Sequence, residues 1–178
     1  MTSIATPQNK LPVNRAELYY PAVPHFVRKH LDHTKHFAAR FGAIYFITIC
    51  SEPRGVNQLC RREVVVPLFK TARIYHKPQR WYLNSLLLMP DHAHLLIGVP
   101  PDVSLSQLIR DYKRITARLS GVKWQRNFFD HRLRHSESVA RKYDYIRQNP
   151  VRAGLVADEG EWPYLLRIAD LDGPGSGD

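Results

Sequence analysis

Apolar residues recur along the chain in two rhythms, one alternating and one returning every third or fourth position. Residues 43–50, AIYFITIC, are largely β-branched or aromatic and predict a strand. Residues 51–59 hold Pro53 and Gly55 and predict a loop. In residues 61–76 the rhythm changes. Val65, Leu68, Phe69, Ala72 and Tyr75 fall at helical spacing, with Pro67 in or bending the first turn and Pro78 as the stop. Residues 81–89 and 92–99 predict two more strands around a Pro90–Asp91 turn, which makes them a hairpin. Residues 104–120 carry the clearest stripe: Leu105, Leu108, Ile109, Tyr112, Ile115 and Leu119, closed by Gly121. Residues 122–129 predict a fourth strand. Residues 136–149 predict a last helix, with Ser136 as N-cap, Glu137 in the first turn and Pro150 as the stop.

The order is strand, helix, strand, strand, helix, strand, then a further helix. This is the βαββαβ pattern of a ferredoxin-like α+β sandwich with an antiparallel sheet and an added C-terminal helix that bears tyrosines. Residues 41–156 hold all of these elements and form the expected domain. Residues 1–40 read as an arm or extension. His25, His30, His33 and His36 lie there among Arg28, Lys29, Lys35 and Arg40. Their spacing gives no clean ligand pair and favours a basic surface over a metal site. Residues 157–178 read as an acidic tail with a disordered end.

The length of 178 residues suits one domain with its own core. No apolar run approaches the ~20 residues of a membrane helix, and Met1 to Lys10 lacks the apolar stretch of a secretion signal. Two cysteines, Cys50 and Cys60, cannot build a four-cysteine zinc site, so a cytoplasmic protein is expected. The net charge of +10 is uneven: residues 61–150 carry 17 Lys/Arg against 7 Asp/Glu, while residues 151–178 carry 2 against 6. A concentrated basic excess points to a polyanion partner, most often nucleic acid.

Candidate chemistry lies within that basic stretch. Strand side chains alternate, so His92 and His94 share a face and Ala93, Leu95 and Ile97 take the other. Two adjacent imidazoles are a ready pair of metal ligands, although the same pattern also occurs in strands without a metal. In the last helix, Val139, Tyr143 and Ile146 form the core stripe. Tyr145 instead shares a face with Arg141 and Asn149, four residues before and after it. Tyr143 therefore reads as packing and Tyr145 as a group offered to another surface. A phenol with a pKa of about 10 is a weak nucleophile at neutral pH. A cation held by His92, His94 and one further ligand would polarise a phosphodiester, and Tyr145 would attack it to form a covalent phosphotyrosine.

Three blocks give the chain a recognisable pattern. MPDHAHLLIGV at 89–99, WQRNFFDHRLR at 124–134 and YDYIRQNPVRAGLV at 143–156 resemble, in order, the histidine motif, WQ segment and tyrosine helix of the IS200/IS605-like tyrosine transposases. The closer likeness is to the REP-associated tyrosine transposases, and it covers roughly residues 40–170. The resemblance implies a single-strand DNA nicking and strand-transfer enzyme acting on short hairpins through a 5′-phosphotyrosine. His92 and His94 match the metal-binding histidines, Tyr145 the nucleophile and Asn149 the third ligand, with Gln148 as the lesser candidate. Mg²⁺ or Mn²⁺ is the implied cofactor. Asp91 stands where the family usually has Asn. A lysine recurs at the place of Lys113.

Single-stranded or hairpin DNA is thus the expected partner, for a monomer rather than a homodimer. Arg110, Lys113, Arg114 and Arg118 on the second helix are expected to track its backbone. Lys123, Gln125, Arg126, Arg132 and Arg134 flank the aromatic Trp124, Phe128 and Phe129, a mixture suited to phosphates and stacked bases. Arg141 joins them from the tyrosine's face. Two alternatives stand beside this. One is a domesticated protein of the same fold that binds nucleic acid without cutting. The other is a metallohydrolase with a water nucleophile, which lacks a clear carboxylate ligand because Asp91 falls on the strand face opposite His92.

Overall fold

The computed structural model describes residues 42–134 and 137–171. The histidine-rich segment, Ser136 and the chain end after residue 171 lie outside the described residues. Five strands form one antiparallel sheet in the order β4-β1-β3-β2-β5. They are β1 (Ala43–Cys50), β2 (Tyr82–Leu88), β3 (His92–Val99), β4 (Phe129–Arg132) and β5 (Leu165–Arg167). The helices are α1 (Arg62–His76), α2 (Leu105–Ser120), α3 (Val139–Arg147) and the single turn α4 (Asn149–Arg152). The first four strands have the order expected of a ferredoxin-like sandwich.

Strand alternation divides the buried residues between two cores. Tyr45, Ile47 and Ile49 of β1 and Ala93, Leu95 and Ile97 of β3 face α1 and α2, where they meet Leu68, Tyr75, Ile109 and Tyr112. Trp81 is fully buried there and donates its indole N–H to the Ala72 carbonyl. Phe46, Leu87, Met89 and Leu96 face the other way and pack with Leu133 and with Ile146 of α3. The sheet is covered on both sides, which is why β2 and β3 read as nearly continuous apolar runs.

Both long helices start and stop close to where the sequence predicts. Ser104 caps α2 by accepting from the Gln107 amide, and Gly121 closes it at φ 72°, a left-handed conformation that glycine adopts freely. The buried face of α1 is turned slightly from the expected stripe. Val64 and Thr71 are buried, whereas Val65 and Phe69 are only partly covered. Leu119, the last residue of the α2 stripe, is 58% exposed.

Three expectations are corrected. The fourth strand is Phe129–Arg132, not 122–129. Residues 122–128 form a loop held to the end of β1 by the Ser51–Trp124 bridge, Glu52 N–H to Lys123 O and Gln125 N–H to Cys50 O, both 2.8 Å. The last helix starts at Val139, where Ser138 accepts from the Arg141 amide, rather than at Ser136. The acidic segment after residue 156 also contributes to the fold. Leu165–Arg167 adds an edge strand to β2, and Trp162 donates to the Leu88 carbonyl at 2.9 Å. A three-residue strand carries too little pattern to be read without its partner. Among the described residues no helix is long and apolar enough to cross a membrane.

Leu95 is fully buried at the centre of the sheet, facing α1 and α2. Leu95→Ala is expected to cost about 2–5 kcal/mol of stability, read from the urea midpoint at unchanged slope.

Candidate functional site

The site is built on the sheet face that carries α3. β1 and β3 pair antiparallel with Cys50 opposite His92 and Thr48 opposite His94. Both imidazoles therefore leave the sheet on one side, their rings 4.8 Å apart. Each has its Nδ1 occupied. His92 Nδ1 lies 2.7 Å from an Asp91 carboxylate oxygen, and His94 Nδ1 lies 3.0 Å from the Thr48 hydroxyl. Among the described residues neither Nε2 has a hydrogen-bond partner. A carboxylate beside Nδ1 favours the tautomer with its proton there, which leaves the Nε2 lone pair of His92 as a donor. Burial, reinforced by the nearby Arg54 cation, holds His94 well below the ordinary imidazole range, so it stays neutral and able to ligate.

Asp91 does more than precede the first histidine. It is 3% exposed, and its second oxygen accepts from the Gly55 amide at 2.8 Å and pairs with Arg54 at 3.1 Å. Burial alone would raise its pKa. The hydrogen bonds from His92 and Gly55 and the nearby cations outweigh that and hold it below the ordinary carboxylate range. The sequence places Asp91 on the opposite strand face. The structure corrects this: Asp91 precedes β3, in the turn, where its carboxylate reaches back to His92.

Tyr145 approaches from α3. Ile146 anchors the helix in the core at 0% exposure, and Tyr145, 46% exposed, meets Phe46 edge-on at 6.2 Å between centroids. Phe46 in turn stacks on His94 at 5.3 Å. Asn149 donates from Nδ2 to the carbonyls of Tyr145 and Ile146 at 3.0 and 2.9 Å, which engages the amide nitrogen and leaves Oδ1 as the free acceptor. Gln148 is committed elsewhere, donating to Glu159, which also pairs with Arg147. Lys142 Nζ lies 5.5 Å from the centre of the Tyr145 ring and the Arg152 guanidinium 4.7 Å from it. No motif in the sequence marks these cations, or Phe46 and Thr48. Lys142 stands three residues before Tyr145, a spacing that could have found it. Arg152 follows the Pro150 break, where helical spacing gives no guidance.

The remaining candidates separate by location. Arg110, Arg114 and Arg118 are exposed, but α2 packs on the sheet face opposite the histidines. They are not brought to the site, because a helical pattern does not say which side of a sheet the helix covers. Arg114 also pairs with Asp111 at 3.1 Å. Lys113, expected on the surface, is 9% exposed and donates to the carbonyls of Gln125, Arg126 and Asn127. Trp124 and Phe128 are half-buried against the helical core, and the Trp124 indole donates to Thr116 at 3.0 Å. Phe129, 43% exposed, sits opposite Thr48 on the histidine face and meets Phe46 at 6.4 Å. Arg132 pairs with Tyr45 in the sheet and so points to the helical side. Lys123, Arg126, Arg134 and Arg141 are exposed, and Gln125 is half-buried.

Among the described residues no three His, Cys, Asp or Glu side chains come together as a metal cluster. A cation bound to both histidines would need a third donor of another kind. The Asn149 amide oxygen and water are the oxygen ligands that suit a small divalent ion. The two Nε2 atoms, their rings oriented by Asp91 and Thr48, fit a pair of nitrogen donors beside such oxygens.

Comparisons with known proteins agree on one family. The model of the IS200-like transposases matches residues 39–149. A Haemophilus influenzae protein assigned by name to the REP-associated tyrosine transposases is 28% identical over 144 residues, covering 69% of this chain and 78% of its own length. The REP-associated tyrosine transposase of Escherichia coli is 31% identical over 92 residues, half of this chain and 56% of that protein. A solved REP-associated tyrosine transposase bound to a REP hairpin shares the fold, with a TM-score of 0.62 and 22% identity over 78% of this chain and 82% of that one.

A cation held by the two histidines would bind about 10- to 100-fold more weakly in Asp91→Ala, measured by titrating free Mn²⁺ in electron paramagnetic resonance.

Proposed function

This chain belongs to the IS200-like transposase family, and from that membership we propose that it nicks and rejoins single-stranded DNA beside a hairpin, with Tyr145 as nucleophile. The observation that carries the reading is the convergence on one sheet face of two imidazoles with open Nε2 atoms and a half-exposed tyrosine flanked by cations. The relative solved with a REP hairpin supports hairpin DNA of that kind as the substrate class.

His92, His94 and the Asn149 amide oxygen would hold Mg²⁺ or Mn²⁺. Such an ion, when bound, neutralises charge on the phosphate and polarises it toward attack. Imidazole suits Mn²⁺ better than Mg²⁺, so Mn²⁺ is expected to act at lower concentration.

The chain's own groups supply the rest. Lys142 and Arg152 place positive charge beside the Tyr145 ring, where the scissile phosphate docks. Phe46 fills the space between the tyrosine and His94 and fixes the ring's approach. The Tyr145 oxygen bonds to phosphorus as its proton leaves to solvent. The bond from phosphorus to the 3′ oxygen breaks, and that oxygen takes up a proton. The products are a 5′-phosphotyrosine and a free 3′-hydroxyl. Attack by a 3′-hydroxyl on the phosphotyrosine reverses the step and conserves the phosphodiester, so no ATP is needed. Phe129, Arg126, Lys123, Arg134 and Arg141 are the exposed candidates for holding the strand.

Because Ile146 packs into the same chain's sheet, a single chain can carry both histidines and the tyrosine.

Wild-type protein with Mn²⁺ and a hairpin bearing a single-stranded flank is expected to form a covalent adduct that survives denaturing electrophoresis. Tyr145→Phe should bind the hairpin and form none. Persistence of the adduct in Tyr145→Phe would reject the nucleophile. Binding without cleavage by the wild type would favour the non-catalytic alternative, and cleavage without an adduct would favour a water nucleophile.

A further inference from the structure

Lys113 is a cation in an unusual place. It lies on the half of α2 that packs into the helical core, between the fully buried Tyr112 and Thr116, and is itself 9% exposed. Its ammonium group meets three consecutive carbonyls, those of Gln125, Arg126 and Asn127. An ammonium has three N–H donors and no acceptor, so three carbonyls match its capacity and leave none for a phosphate. Of the three residues whose carbonyls it holds, Arg126 and Asn127 are exposed and Gln125 is half-buried. The loop is also fastened to the end of β1 through Cys50, the cross-strand partner of His92. Its outward groups, with Lys123, are cationic or amide-bearing, the chemistry that holds phosphates and reads the edges of unpaired bases.

We propose that Lys113 is a positioning residue: from inside the fold it sets the loop 123–128 in the shape that reads single-stranded DNA next to the histidines, without itself touching the DNA. This role rests on the reading of the protein as a hairpin-DNA transposase. It also accounts for a lysine that a surface contact would not bury.

The test is a double-mutant cycle on DNA affinity. Fluorescence anisotropy with a labelled hairpin bearing a single-stranded flank compares wild type, Lys113→Met, Arg126→Ala and the double variant, each checked by circular dichroism. Each single change is expected to weaken binding about tenfold, and the double about tenfold as well, because a released loop no longer presents Arg126. Amide exchange at 125–128 should speed up in Lys113→Met. A double variant weakened about a hundredfold, the product of the two singles, would mean independent contacts and overturn the role. So would unchanged affinity in Lys113→Met, which would make the clamp purely structural. If the methionine variant does not fold, Lys113→Gln, which keeps two N–H donors, carries the same cycle with a smaller loss and the same lack of additivity. A wild-type protein that does not bind the hairpin overturns the functional reading and this role with it. Additivity in a wild type that binds overturns the role alone.

Discussion

The register between β1 and β3 is the constraint on which the rest depends. With Ala43 opposite Val99 and Cys50 opposite His92, the odd residues of both strands build the helical core and the even residues of β1 face the histidines. A slip of β1 by one residue would exchange its two sets, turning Thr48 toward α1 and α2 and Ile47 and Ile49 toward the histidines. The apolar faces on both sides of the sheet oppose such a slip. The same register delivers Thr48 to His94 and Phe46 to the gap beside it, so the supporting groups arrive with the donors they support.

Much of this is legible in the chain itself. Alternation alone puts His92 and His94 on one face, and helical spacing alone separates Tyr145 from the core stripe of Val139, Tyr143 and Ile146. What local pattern cannot carry is depth and side. Lys113 reads as surface because a lysine is seldom buried, and only three carbonyls brought from a distant loop make its burial tolerable. The arginines of α2 read as DNA contacts, but which sheet face a helix covers is a property of the whole topology. Strand alternation does not reach Asp91, which lies in the turn before β3. The aromatic run at 122–129 looks like a strand, yet its anchoring to Ser51 and Cys50 makes it a loop.

The C-terminal acidic residues also change meaning in three dimensions. Glu159 accepts from Gln148 and pairs with Arg147 at the end of α3, and Trp162 reaches Leu88 beyond it. The helix that carries Tyr145 is thus held from below by Ile146 and from its C-terminal end by a segment that read as a tail. Charge that lowers the net total of the chain serves locally to fix the pose of one helix.

The placement of Arg110, Arg114 and Arg118 has a kinetic consequence. Lying exposed across the sheet from the histidines, they act on that face only through the electric field around the molecule. Screening over about 10 Å at 0.1 M salt leaves their influence strong in dilute buffer and weak in the cell's ionic strength. Under the proposed function, added salt should therefore slow capture of a strand more steeply than it quickens escape, since far-side cations act mainly on the encounter.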